Sequence, residues 1–113
     1  MKYIALIYTD PELTPQLGGT MNAGYADFTR RAREAGVIAG GDALHGPATA
    51  TTVRTRGGLA ETMDGPFADT KEQLGGYYIL DCADLDQAIH WAAQIPGAAV
   101  GAVELRPLVV FNG

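Results

Sequence analysis

Lys2-Tyr3-Ile4-Ala5-Leu6-Ile7-Tyr8-Thr9 has the composition of a β-strand, and both of its alternating sets are largely apolar. Tyr3, Ala5 and Ile7 point one way, and Ile4, Leu6 and Tyr8 the other. A strand with one solvated face alternates apolar and polar residues, so a strand apolar on both sides has to be covered on both sides. Only two amphipathic helical segments follow it in the chain, enough for one face of a sheet of this size. The second face calls for another layer, and a second copy of the same sheet is the simplest one.

Working outward from that strand, Asp10-Pro11, Pro15 and Gly18-Gly19 read as a loop, with Thr20 as N-cap of a first helix that stops at Gly36. Met21, Tyr25, Phe28, Ala32 and Ala35 share one face of it, while Arg30, Arg33 and Glu34 lie off that face. Val37 to Gly41 is a short strand and Asp42 to Pro47 a loop. Thr49 to Arg56 and Leu59 to Met63 make a hairpin around the turn signal Gly57-Gly58. Tyr77 to Cys82 has the character of a central strand. Asp84 with Gln87 three residues on resembles a capping box, opening a helix with Leu85, Ala88, Ile89, Ala92 and Ile95 on one face and Pro96-Gly97 at its end. Val103 to Arg106 and Leu108 to Phe111 form a last strand region in which Pro107 implies an edge, bend or bulge. The order strand, helix, strand, hairpin, strand, helix, strand predicts one ferredoxin-like α+β domain over residues 1–113, with an inserted β-hairpin, paired sheet against sheet as a homodimer.

Composition narrows the partners. Eight Lys and Arg against thirteen Asp and Glu give a net charge of -5, the wrong sign for attraction to phosphate backbones or anionic lipid. Neither nucleic acid nor membrane is an expected partner, and no run of about 20 apolar residues spans a bilayer. Cys82 is the single cysteine, which excludes an intramolecular disulfide and fits a reducing cytoplasm. Walker loop, GxGxxG after a strand, HExxH and Ser nucleophile elbow are all missing, so no cofactor is expected.

Polar chemistry concentrates in Asp64-Gly65-Pro66-Phe67-Ala68-Asp69-Thr70-Lys71-Glu72-Gln73-Leu74-Gly75-Gly76-Tyr77-Tyr78. Asp64-Gly65-Pro66 is a turn in which the Asp carboxylate can accept backbone amides, and Phe67 follows it as an inward anchor. Asp69-Thr70-Lys71-Glu72 reads equally as an exposed helical turn. Asp64, Asp69 and Glu72 form only a weak cation-binding signal. Of the two histidines, His90 falls on the polar side of the second helix, whereas His45 lies on a Gly- and Pro-rich loop three residues after Asp42. A carboxylate-oriented His is a suitable general acid or base. The candidate catalytic groups are therefore His45, Asp64 and Asp69, in a cleft under the loop that starts at Asp64. Lys71, Tyr77 and Arg106 are the candidate binding groups, with Arg106 sharing a strand face with Glu104 and able to pair with a carboxylate of protein or ligand.

The string DGPFADTKEQLGGYYILD, preceded by GPATATTVR and followed by DLDQAIHWAAQIPG and VELRPL, closely resembles the DGPF branch of the YCII-related family, over nearly the whole chain. The resemblance implies a dimeric α+β barrel of ferredoxin-like subunits, similar in shape to muconolactone isomerase. It implies less about activity: most DGPF proteins are of unknown function, and many are encoded beside extracytoplasmic-function sigma factors. In the wider family a His on the first helix and a nearby Asp are proposed as an acid-base pair. Here that helix reads Met21-Asn22-Ala23-Gly24-Tyr25-Ala26-Asp27-Phe28 and has no His. The expectation is a protein that binds a small molecule within the dimeric barrel, linked to a sigma-factor system. A small acid-base enzyme of isomerase or lyase type, using Asp64, Asp69 or His45, is the alternative.

Overall fold

The computed structural model describes residues 1–10 and 14–111, with side chains at 1–10 and 23–111. β1 (Lys2–Thr9) leads into α1 (Thr14–Glu34), and β2 (Ile38–Ala43) follows. A single 3-10 turn at Pro47–Thr49 precedes β3 (Thr51–Arg56) and β4 (Leu59–Asp64). β5 (Gln73–Asp81), α2 (Leu85–Ala92), α3 (Gly97–Val100) and β6 (Ala102–Pro107) complete the chain. The main sheet runs β2-β5-β1-β6, every neighbouring pair antiparallel, and β3 and β4 pair with each other in a separate two-stranded sheet. A small α+β domain with helices packed on an antiparallel sheet in this order is consistent with a ferredoxin-like fold.

The core lies between the sheet and the helices. Tyr3, Ala5 and Ile7 of β1 and Leu80 of β5 are buried against Phe28 and Ala32 of α1 and Ala88, Ala92 and Ile95 beyond them. Phe28 anchors this layer, its ring 5.1 Å from Tyr78 and 6.2 Å from Trp91 in tilted and edge-on contact. On the other side of the sheet, Ile4 and Leu6 stand opposite Ile79 and Tyr77, all half-exposed, beside Glu104 and Arg106. Thus both apolar sets of β1 are present as read, but among the described residues only one is buried.

Helix ends have local causes. At the end of α1, Gly36 takes φ +75°, its N–H donating to the Arg33 carbonyl and that of Val37 to Ala32, which together satisfy two otherwise orphan carbonyls. Asp84 caps α2 by accepting the Gln87 amide at 2.9 Å, while Gln87 returns a side-chain oxygen to the Ala83 amide at 2.7 Å. At the hairpin tip Gly57 and Gly58 have φ of +58° and +80°, the pair of positive values a two-residue connection needs.

Six expectations are corrected. α1 is already helical at Thr14, so Thr20 is an interior residue and not an N-cap; Pro15 stands in the first turn, where a missing N–H is harmless. The expected loop at Pro11, and Met21 on the apolar face, lie outside the described residues or side chains. Ala35 is exposed because the helix has ended before it. Leu85 and Ile89, expected in the core, are each 50% exposed, since α2 is only eight residues long and meets the sheet through Ala88 and Ala92. Gly97 opens the short α3 rather than only closing α2, and the strand after Pro107 is absent: Leu108 still bonds the Lys2 carbonyl, but Val109 to Phe111 carry no strand. Finally, β2 continues through Asp42 and Ala43, which pair with Tyr77 and Gly76, where a loop was expected.

A groove between the first helix and the second strand

Because β1 and β2 both run antiparallel to their neighbours, they run parallel to each other, and α1 returns between them in the opposite sense. The C-terminal end of α1 therefore lies by Ile38, and its earlier turns lie by Asp42 and Ala43. Between these walls is a groove of about 900 Å³. Tyr25, Thr29 and Arg33 line it from α1, at the i, i+4 and i+8 spacing that stacks residues on one helical face. Ile7 and Tyr78 form its floor, and the segment from Ile38 to Pro47 forms the opposite wall.

Hydroxyl groups mark the interior. The Thr29 and Tyr78 hydroxyls are hydrogen bonded at 2.9 Å, tying α1 to β5 across the floor. Burial pushes the Tyr25 hydroxyl above the ordinary tyrosine range, with a hydrogen bond from the Gly97 backbone opposing the shift. On the opposite face of the sheet, beside Leu6, the Tyr77 hydroxyl donates to Asp42 Oδ2 at 2.8 Å, between cross-strand partners at the groove's β2 edge. That bond raises the Tyr77 pKa, with the nearby carboxylate charge adding to it.

The sequence candidates separate in space. His45 and Tyr77 both line the groove. Asp42, expected to orient His45, instead receives Tyr77, and among the described residues His45 makes no hydrogen bond. Asp64 ends β4 and is exposed; the turn after it is held by backbone, with the Gly65 N–H on the Ala50 carbonyl and the Thr52 hydroxyl on the Gly65 carbonyl, both at 2.8 Å. Asp69 is exposed in a segment without a helical turn, where the Thr70 hydroxyl bonds the Glu72 carbonyl and Gln73 reaches back to the Thr70 carbonyl. Lys71 extends to Asp10, Nζ to Oδ2 at 3.9 Å, and Arg106 is bonded to Glu104 at 2.6 Å. Asp64, Asp69, Lys71 and Arg106 do not line the groove.

Phe67 is also corrected. It is 71% exposed, with the Arg54 guanidinium 4.9 Å over its ring, because the turn at Gly65 leaves it on the hairpin and away from the core. Among the described residues no three His, Cys, Asp or Glu gather as a metal site. No helix among them is long and apolar enough to cross a membrane. Tyr25, Thr29 and Arg33 were not among the candidate site residues of the sequence. Their signal was the polar stripe at four-residue spacing bordering the apolar face of α1.

A small α+β domain with a groove between its first helix and the edge of its antiparallel sheet is the class these observations define. The chain belongs to the YCII-related domain family, whose model it matches over residues 1–112. It is similar to an uncharacterized protein of Rhizobium meliloti (strain 1021), with 35% identity over 118 residues, covering 99% of this chain and 95% of the relative.

Proposed function

We propose that this protein is a DGPF-branch member of the family that binds a small molecule as a homodimeric α+β barrel, its chemistry being recognition before catalysis. The groove carries this reading. Its volume is in the range of roughly 300 to 1,000 Å³ typical of ligand sites, and it combines apolar walls with a few convergent hydroxyls. The dimer is supported by the open face of the sheet, where Ile4, Leu6, Tyr77 and Ile79 have no helix over them among the described residues. Sheet-to-sheet pairing closes that face, with Arg106 and Glu104 at its border, and the hairpin of β3 and β4 stands as an insertion beside the barrel. The cytoplasm is the compartment that suits buried, reduced Cys82. Ligand occupancy is then the signal passed to a sigma-factor system.

The test is a thermal-shift screen of small organic molecules against the wild type and Tyr78→Phe. A compound that raises the melting temperature of the wild type, and less that of the variant, supports the groove. A screen in which every stabilising compound acts equally on both removes it. The acid-base alternative has one observation in its favour, the place of His45 on the groove wall, and it would have to act without Asp64 and Asp69, which do not line the groove. It requires that His45→Ala abolish turnover while ligand binding persists.

A further inference from the structure

Resting on the groove reading, we infer that the ligand is a small amphiphilic carboxylic acid whose carboxylate is held by Arg33. Charge pairing singles that residue out. Arg30 bonds Asp27 and Glu34, Arg31 bonds Asp27 and Gln94, Arg56 faces Glu61, Arg106 bonds Glu104, and Arg54 lies over Phe67. Arg33 alone among the arginines has no ionic, hydrogen-bonded or ring partner among the described residues, and it lines the groove. A guanidinium offers a planar fork matched to a carboxylate, and in an acidic chain an unpaired one at the mouth of an apolar groove favours an anion there.

Groove direction sets the rest of the ligand. Asp42, the carboxylate that lines the groove, is four residues along β2 from Ile38, roughly 13 Å at about 3.3 Å per residue. Ile38 lies at the Arg33 end, so Asp42 stands at the far end, already bonded to Tyr77, and does not compete for the guanidinium. Between them are Ile7, Ile38 and Tyr78 for an apolar or aromatic body, and the Tyr25 hydroxyl for a polar substituent. A neutral lipid-like ligand would leave Arg33 unused.

The experiment titrates matched pairs of aryl acids and their amides, benzoate with benzamide and hydrocinnamate with hydrocinnamamide, into the full-length protein, with backbone amide signals of Thr29, Gly41 and Tyr78 followed by NMR. At least one acid is expected to bind ten times or more tighter than its amide, the preference to fall with added salt, and Arg33→Gln to abolish the preference while Arg33→Lys retains part of it. Because Arg33 is exposed, neither variant should disturb the spectrum elsewhere. Equal binding of acid and amide, or an unchanged preference in Arg33→Gln, overturns the carboxylate assignment and leaves the groove reading standing. If no member of any pair moves those three signals, both fall together.

Discussion

Phe28 and Phe67 show how much a single aromatic ring depends on where its backbone carries it. Phe28 is completely buried between Tyr78 and Trp91, so Phe28→Ala is expected to destabilise the fold by about 3–5 kcal/mol. Phe67→Ala should change stability by less than about 0.5 kcal/mol, the ordinary range for an exposed site. Urea denaturation of both variants checks the contrast, and equal losses would contradict the placement of Phe67. Cys82 is 2% exposed, and burial raises its thiol pKa, with Asp81 adding to the shift. It should react with a disulfide reagent only after denaturation. The Tyr77 pKa is raised in the folded protein by its bond to Asp42. Its contribution to stability is therefore fully present below the unfolded tyrosine pKa and lost as pH rises through the higher folded value. Any stability difference between wild type and Tyr77→Phe is expected to shrink in that alkaline window, which denaturation across pH would show.

At the scale of elements, α2 provides a cap whose strength can be measured. Asp84→Ala removes the acceptor for the Gln87 amide and should lower stability by about 1 kcal/mol, with Asp84→Asn retaining most of it, read by thermal unfolding followed by circular dichroism. That cap was legible as Asp84 and Gln87 three residues apart, and the hairpin was legible as two strand-like runs around Gly57-Gly58, because both signals are local. The start of α1 was not. Pro15 and Gly18-Gly19 are strong breakers in an average context, but a first-turn Pro is tolerated and the two Gly carry helical backbone here. Likewise the period of α2 placed Leu85 and Ile89 on an apolar face, but periodicity names a face without naming what covers it. Of the residues that line the groove, His45 and Tyr77 were singled out from residue type. Arg33 was not, because being unpaired is a property of three-dimensional neighbours.

For the whole molecule, the dimensions are telling: 47 × 46 × 18 Å, with a radius of gyration of 15.9 Å against about 13 Å for a compact chain of this length. A slab so thin has one layer of helices and one of sheet, with a hairpin reaching past both. Leu6 lies near the middle of the uncovered face, opposite Tyr77 and Glu104. Leu6→Asp is expected to convert the proposed dimer to a monomer in light scattering at micromolar concentration, and a wild type already monomeric there would remove the sheet-to-sheet pairing.

Pro107 bears on what kind of assembly is open to such a slab. It sits on β6, an outermost strand of the sheet, paired with Tyr3 through β1, and lacks an amide to offer any strand arriving from outside. At the opposite border β2 loses its regular pairing between Ile38 and Gly40. An irregular outer strand is a poor template for another strand. Both lateral borders thus resist strand-by-strand addition, the route by which sheets grow into fibrils. In the proposed dimer, association falls instead to the broad face, where two copies related by a twofold axis would cover each other and leave nothing for a third to extend.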